Sequence, residues 1–159
     1  MFWSSSAGGT VVSEVEKADG VIARMARAWT AGDGAGWAAD FAEDADFVDA
    51  VGRIQRGRRV IADEHQKLFD TIYRGSTLTI RRIGSRDLPG GTLLVHTEST
   101  LQVPGGPREG EWHAVQTKIF QDGRILAFHN TARTDLADLA QDDEELGRRS
   151  PQEWRRTAD

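Results

Sequence analysis

The chain has no cysteine, and among its 159 residues only four prolines, two methionines and one tyrosine. Without cysteine there is no disulfide framework, no thiolate nucleophile and no cysteine-held metal or iron–sulfur cluster, and a reducing cytoplasm is the expected setting. No apolar stretch approaches the length of a bilayer span. Residues 1–9 (MFWSSSAGG) have neither the basic nor the greasy segment of a secretory leader, so secretion and membrane insertion are not expected. Positive charge is scarce too. Twenty Lys and Arg stand against 25 Asp and Glu, and the formal net charge of −5 works against a nucleic-acid partner, which needs a basic surface. The four histidines show no His-x-His or His-Glu-x-x-His spacing, so no metal site is expected. Gly90-Gly91 and Gly105-Gly106 sit beside prolines as turns, and nothing resembles a phosphate-cradling loop or a nucleophile elbow. No cofactor is called for. Arg53, Arg56, Arg58 and Arg59 form one local basic cluster at the start of a predicted helix. It reads either as an anion site or, more simply, as a solvated turn paired with nearby carboxylates.

A length of 159 residues suits one domain with a sizeable core. The reading is a tail over residues 1–12, a domain over 13–134, and a short acidic helix followed by a solvated tail over 135–159. From Val11 to Ala31 the apolar positions Val15, Ala18, Val21 or Ile22, Met25, Ala28 and Trp29 recur at three and four, as on one stripe of a helix. Ser13 with Glu16 forms its capping box, and Gly32 ends it. Asp33 caps a short second helix carrying Trp37, Ala38 and Phe41. Ala45 to Ala50 reads as a strand, Arg53 to Gln55 as a brief return strand, and Arg58 to Tyr73 as a third helix with Ile61, His65, Leu68, Phe69 and Ile72 inward. The period then changes to two. Four strands follow, at about 76–86, 92–103, 111–121 and 124–134, with Asp122-Gly123 marking a hairpin. Helices followed by a meander imply an α+β fold: a curved antiparallel sheet wrapped around three N-terminal helices, with a hydrophobic pocket between them.

The order of elements, together with Trp29-Thr30-Ala31-Gly32-Asp33, Phe41-Ala42-Glu43-Asp44-Ala45 and Phe128-His129-Asn130-Thr131, resembles the cone-shaped nuclear transport factor two-like superfamily. Within it the chain is similar to the SnoaL-like group and most of all to the SgcJ/EcaC family of bacterial enediyne and polyketide pathways. The likeness covers roughly residues 15 to 134. Such a fold hosts isomerases, dehydratases, cyclases, hydrolases and plain binders, so it does not decide function. The resemblance to a ketosteroid isomerase of this superfamily places its proton-shuttling aspartate on Asp49, within an ungapped match from Ala42 to Gly52. It places the neutral oxyanion-hole acid on Gln116, a pocket tyrosine on His65 and the oxyanion-hole tyrosine on Met25. Met25 has no acidic proton and Gln116 is a weaker donor than a carboxylic acid. At about 10²- to 10³-fold per lost oxyanion donor, the chain should be a poor steroid isomerase.

Asp49 is the first candidate for chemistry, because a carboxylate at the rim of an apolar pocket should have its proton affinity raised toward that of a general base. The competing reading is a turn aspartate that holds the Ala50-Val51-Gly52 bend. His65 is either a proton shuttle or orienting partner, or a satisfied core histidine. Gln116 alternates in phase with Trp112, Ala114 and Lys118, so that whole face lines either the cavity or the outer surface. Gln116 and Asn130 either meet a polar ligand or make buried structural bonds, with Phe128 sharing the inward face of the last strand and His129 opposite. Trp29, Phe69, Trp112 and Phe128 fill the core by default, and some of them line any cavity, suiting it to flat hydrophobic ligands. His96 and Glu98 share one strand face, and phase alone leaves it either the cavity or the outer surface; the preferred reading is a hydrogen-bonded pair on the outer surface, through which a homodimer would form.

Three functions remain open. The first is a cofactor-independent enzyme that isomerises, cyclises or dehydrates a hydrophobic conjugated intermediate, with Asp49 as base, His65 as relay, and Gln116 and Asn130 holding a carbonyl or hydroxyl. The second is a non-catalytic protein that binds or sequesters such a metabolite. The third is an assembly piece.

Overall fold

The computed structural model describes residues 11–135. The expected N-terminal tail up to residue 10, and the expected acidic helix and tail beyond residue 135, lie outside the described residues. Ser13 opens the first helix, α1 (Glu14–Thr30), through the capping box. Its hydroxyl accepts from Glu16 N at 3.1 Å, and its own N–H donates to the Glu16 carboxylate at 3.4 Å. The apolar stripe of α1, from Ala18 through Val21, Ile22 and Met25 to Ala28 and Trp29, is buried as its spacing requires. Asp33 then caps α2 (Gly34–Ala38), accepting from Gly36 N at 2.9 Å. After two strands, β1 (Phe41–Val48) and β2 (Ile54–Arg56), comes α3 (Arg58–Phe69). The chain finishes in the meander β3 (Thr77–Leu88), β4 (Thr92–Val103), β5 (Gly110–Gln121) and β6 (Arg124–Ala132).

The six strands form one curved sheet in the order β2-β1-β6-β5-β4-β3. Its neighbours run antiparallel except at the β1–β6 junction, where Phe47 lies beside Phe128 in a parallel pair. One face is covered by the helices, with α1 against β3, α3 against β1 and β2, and α2 wedged between the other two helices. Strand β4 shows the consequence in its alternation: Leu93, Val95, Thr97, Ser99 and Leu101 are buried, while His96 and Glu98 turn to the outer face. There His96 Nδ1 meets Thr117 Oγ1 at 3.0 Å and Glu98 pairs with Arg81. Among the described residues no helix is long and apolar enough to cross a membrane.

Two expected boundaries are corrected. Phe41 is not on the second helix. That helix holds five residues, two of them glycine, and the chain leaves it after Ala38, so Phe41 opens β1, fully buried and paired beside Ile125. A short apolar stretch does not distinguish the two periods by itself. The third helix ends at Phe69 rather than Tyr73. Its carbonyls are taken up by turns, with Tyr73 N donating to Leu68 O at 2.9 Å, and the left-handed Gly75 (φ 72°) completes the change of direction.

Helices α2 and α3 touch through backbone. A Cβ on Gly34 would lie 2.6 Å from the Ala62 carbonyl oxygen and 2.9 Å from Gln66 Cβ, so only glycine permits this approach. Gly34→Ala is expected to destabilise the fold by about 1–3 kcal/mol through overpacking, read as a lower urea midpoint.

Candidate active site in the cup between sheet and helices

The sheet curls away from the helices and leaves a cavity of about 350 Å³. Trp29 comes to it from the end of α1, Trp37 from α2, His65 from α3, and Phe47 and Phe128 from the parallel pair β1–β6. These rings interlock. Trp37 and His65 lie 5.1 Å apart by centroids, Phe47 and His65 4.9 Å, and Phe47 and Phe128 4.8 Å. The Trp29 indole is fixed by its N–H, which donates to Ser76 Oγ at 2.9 Å. An aromatic wall held this way presents flat apolar faces with little rotamer freedom left to lose.

The sheet side is polar in one place. Cross-strand register aligns Thr97 of β4, Gln116 of β5 and Asn130 of β6 in a row. Thr97 Oγ1 donates to Gln116 Oε1 at 2.5 Å, while Gln116 Nε2 donates to Ser99 Oγ at 2.7 Å and to Asn130 Oδ1 at 3.2 Å. Ser99, Gln116 and Asn130 all line the cavity. Behind them Lys118, fully buried, donates from Nζ to Thr97 Oγ1 and sits 4.3 Å from the centre of the Phe128 ring. Burial pushes its amine down to about 7.

His65 is 3% exposed. Its Nδ1 donates to the Ile61 carbonyl at 2.7 Å, which leaves Nε2 as the acceptor nitrogen. Burial lowers its pKa to about 4, against the opposing pull of the Ile61 carbonyl and of the Asp49 and Glu64 carboxylates. At neutral pH it is an uncharged acceptor on the cavity wall.

Asp49 stands on that wall too, just beyond β1, but not in the state expected of it. Burial works to raise its pKa and is outweighed. Oδ1 accepts from Val51 N at 3.0 Å and Arg53 N at 2.9 Å, and Oδ2 from Arg53 Nε at 2.7 Å, so the group ends below the ordinary carboxylate value. The turn-holding role and the pocket position coincide in one residue. The raised proton affinity is corrected: a carboxylate that receives backbone N–H bonds favours its ionised form.

The structure brings Asp49, His65, Gln116, Asn130, Trp29, Trp112 and Phe128 to one cavity. It does not bring Met25 or Phe69 there. Met25 lies one helical turn before Trp29 and is fully enclosed in the core, and Phe69 sits edge-on to Trp29, 4.9 Å between centroids, backing the wall rather than forming it. Trp112 is at the mouth, 39% exposed, with the Arg108 guanidinium 3.8 Å over its ring. Two arginines of the basic cluster pair with nearby carboxylates, Arg53 with Asp49 and Arg56 with Asp46, and Arg58 donates to the Phe41 carbonyl. Sequence reasoning passed over Thr97, Ser99 and Lys118 as members of the site, although each shares the inward phase of its strand. It also passed over Trp37 and Gln55. Trp37 Nε1 and Gln55 Oε1 are buried at the cavity wall without a hydrogen-bond partner, a donor and an acceptor left over. Among the described residues no three His, Asp or Glu side chains gather in a metal-binding arrangement.

The sequence profile of the SnoaL-like domain matches residues 22–128. The chain belongs to the SnoaL-like domain family. Its fold is shared with a Nostoc punctiforme protein of unknown function with a cystatin-like fold, at 25% identity and a TM-score of 0.72 over 91% of this chain and 93% of that one. A Catenulispora acidiphila protein with a ketosteroid isomerase-like fold, solved with trimethylamine, aligns at 18% identity and a TM-score of 0.57, covering 74% and 89%. A protein from Shewanella oneidensis described as like nuclear transport factor two gives 14% identity and 0.62, covering 75% and 99%. No curated protein matches the chain.

The buried amine and imidazole carry a pH signature. His65 goes from 6.5 to about 4 and Lys118 from 10.5 to about 7, so in both cases the unfolded chain binds protons more readily. Stability is therefore lost as pH falls from 10.5 toward 7 through Lys118, and again from 6.5 toward 4 through His65. Lys118→Met should flatten the upper part of this profile and raise stability at pH 7 by about 1 kcal/mol or more, measured by urea unfolding across pH.

Proposed function

We propose that this SnoaL-like chain is a small-molecule pocket protein that binds a flat, hydrophobic, conjugated molecule, with Ser99, Gln116 and Asn130 holding its carbonyl or hydroxyl. The observation that carries the reading is the cavity itself: about 350 Å³, walled by Trp29, Trp37, Phe47 and Phe128, with one polar row on the sheet side. That size and that sparse, convergent polarity are what drug-sized ligands require. A bacterial polyketide or enediyne pathway in the cytoplasm is the setting we assign to it. Support comes from the fold, which includes polyketide cyclases and isomerases, and from the SgcJ/EcaC likeness of residues 29–33, 41–45 and 128–131. Ala114 lines the cavity, so Ala114→Phe should fill it. Titration with 2-naphthalenemethanol should quench the tryptophan fluorescence of the parent chain. The variant should bind at least about tenfold more weakly with its melting temperature nearly unchanged. Equal binding by both would remove the cavity as the site.

Proton transfer on the bound molecule is the second reading, favoured by the presence of Asp49 and His65 on one wall, close enough for the carboxylate to act on the imidazole. Asp49, held below the ordinary carboxylate value, is ionised at neutral pH and keeps one lone pair of Oδ2 for a proton, with His65 Nε2 as neighbouring acceptor. Asp49→Asn preserves the acceptor for the turn amides while removing the base. Its expected cost is about 10²- to 10⁴-fold in turnover of a conjugated ketone with the fold intact, followed by absorbance. Ligand recovered unchanged from the parent chain would leave a carrier or sequestering protein.

A further inference from the structure

The buried lysine is the part of the cup that neither reading uses. Lys118 is fully enclosed, and its nitrogen has a hydroxyl and an aromatic face for company. No carboxylate forms an ion pair with it among the described residues. Removing an ammonium from water costs several kcal/mol, and a single cation–π contact returns a fraction of that. Such a charge is retained where something else completes it.

The direction of the hydrogen bonds says what that is. Lys118 donates to Thr97 Oγ1, so the Thr97 proton goes to Gln116 Oε1. With its oxygen occupied, Gln116 turns its amide N–H groups to Ser99 Oγ and Asn130 Oδ1. Each of those two oxygens has given one lone pair to Gln116 and keeps another. The protons that Ser99 and Asn130 have free for the cavity are the hydroxyl proton and the Nδ2 protons. Every link points the same way, away from the cation and toward the ligand, and charge-assisted chains of this kind polarise one another.

We propose that the ligand carries an anionic oxygen, a carboxylate, phenolate or enolate, and that Lys118 is a positioning residue that makes the sheet side selective for it through Thr97, Gln116, Ser99 and Asn130. The inference rests on the pocket reading above and names the ligand class that reading leaves open. The two other cations on the cavity wall are engaged elsewhere: Arg53 pairs with Asp49, and Arg108 lies over Trp112 at the mouth.

The test compares two flat probes of similar size, 2-naphthoate and 2-naphthalenemethanol, by tryptophan fluorescence at pH 6, where the Lys118 amine is protonated and the carboxylate probe is ionised. The parent chain should bind the carboxylate about tenfold or more tightly than the alcohol. Lys118→Met should bring the two within about threefold by weakening the carboxylate alone, and Thr97→Val, which keeps the lysine but breaks the relay, should do the same. If Lys118→Met does not fold, Thr97→Val carries the measurement. Equal binding of both probes by the parent chain overturns this inference and leaves the pocket reading standing. A preference that survives in either folded variant, including one lost only in Arg108→Met, also overturns it. Failure of both probes to bind overturns the pocket reading and this inference together.

Discussion

The cup depends on how closely two short helices are clasped. Gln66 of α3 accepts from Gly34 N at 2.8 Å and donates to the Gly32 carbonyl at 3.1 Å, so one side chain holds both ends of the turn that enters α2. The missing side chain at Gly34 allows the backbone of α3 to come that near. Because α2 is fixed on α3, Trp37 is fixed on His65, and the aromatic wall inherits its geometry from a backbone contact rather than from the rings themselves. A looser clasp would let the apolar walls close on one another, which the hydrophobic effect favours and an open cavity must resist.

On the opposite side the constraint is electrostatic. An antiparallel sheet repeats its side chains every second residue, so one inward row can carry a continuous polar seam across three strands while the rows beside it stay apolar. Thr97, Gln116 and Asn130 occupy that row, and Lys118 lies one inward position further along β5. The seam satisfies nearly all its own bonds, which fixes the orientation of every amide in it. Asp49 shows the same economy, since the bonds that shape its turn also set its proton affinity.

Much of this architecture is legible in the sequence because it obeys simple periods. The capping box at Ser13, the stripe from Ala18 to Trp29, the alternation of β4 and the Asp122-Gly123 hairpin all follow from local rules. Phase puts Gln116 on one face with Ala114 and Lys118 without saying which face is inward, and the SnoaL-like resemblance points Gln116, Asn130, Asp49 and His65 at the pocket. The failures have local causes. Phe41 follows a helix too short to declare its end. Met25 shares the stripe of Trp29, and spacing does not tell which turn of a helix meets a cavity. Asp49 was expected to respond to burial, whereas the backbone N–H groups of Val51 and Arg53 and the Arg53 guanidinium decide the matter. Lys118 shares the phase of Gln116 in the sequence, but phase does not say that a lysine there is buried without a counter-charge.

The parallel junction between β1 and β6 joins residues near 47 to residues near 128, across most of the domain. Loop closure over such a span comes late, after the meander and the contacts among α1, α2 and α3 have formed from nearer partners. A ribosome releasing this chain from its N-terminus therefore exposes Phe41 and Phe47 long before Phe128 exists to cover them. During synthesis, the stretch that becomes the wall of the cup is a sticky strand edge, and the emergence of β6 from the exit tunnel is what makes the protein safe to be hollow.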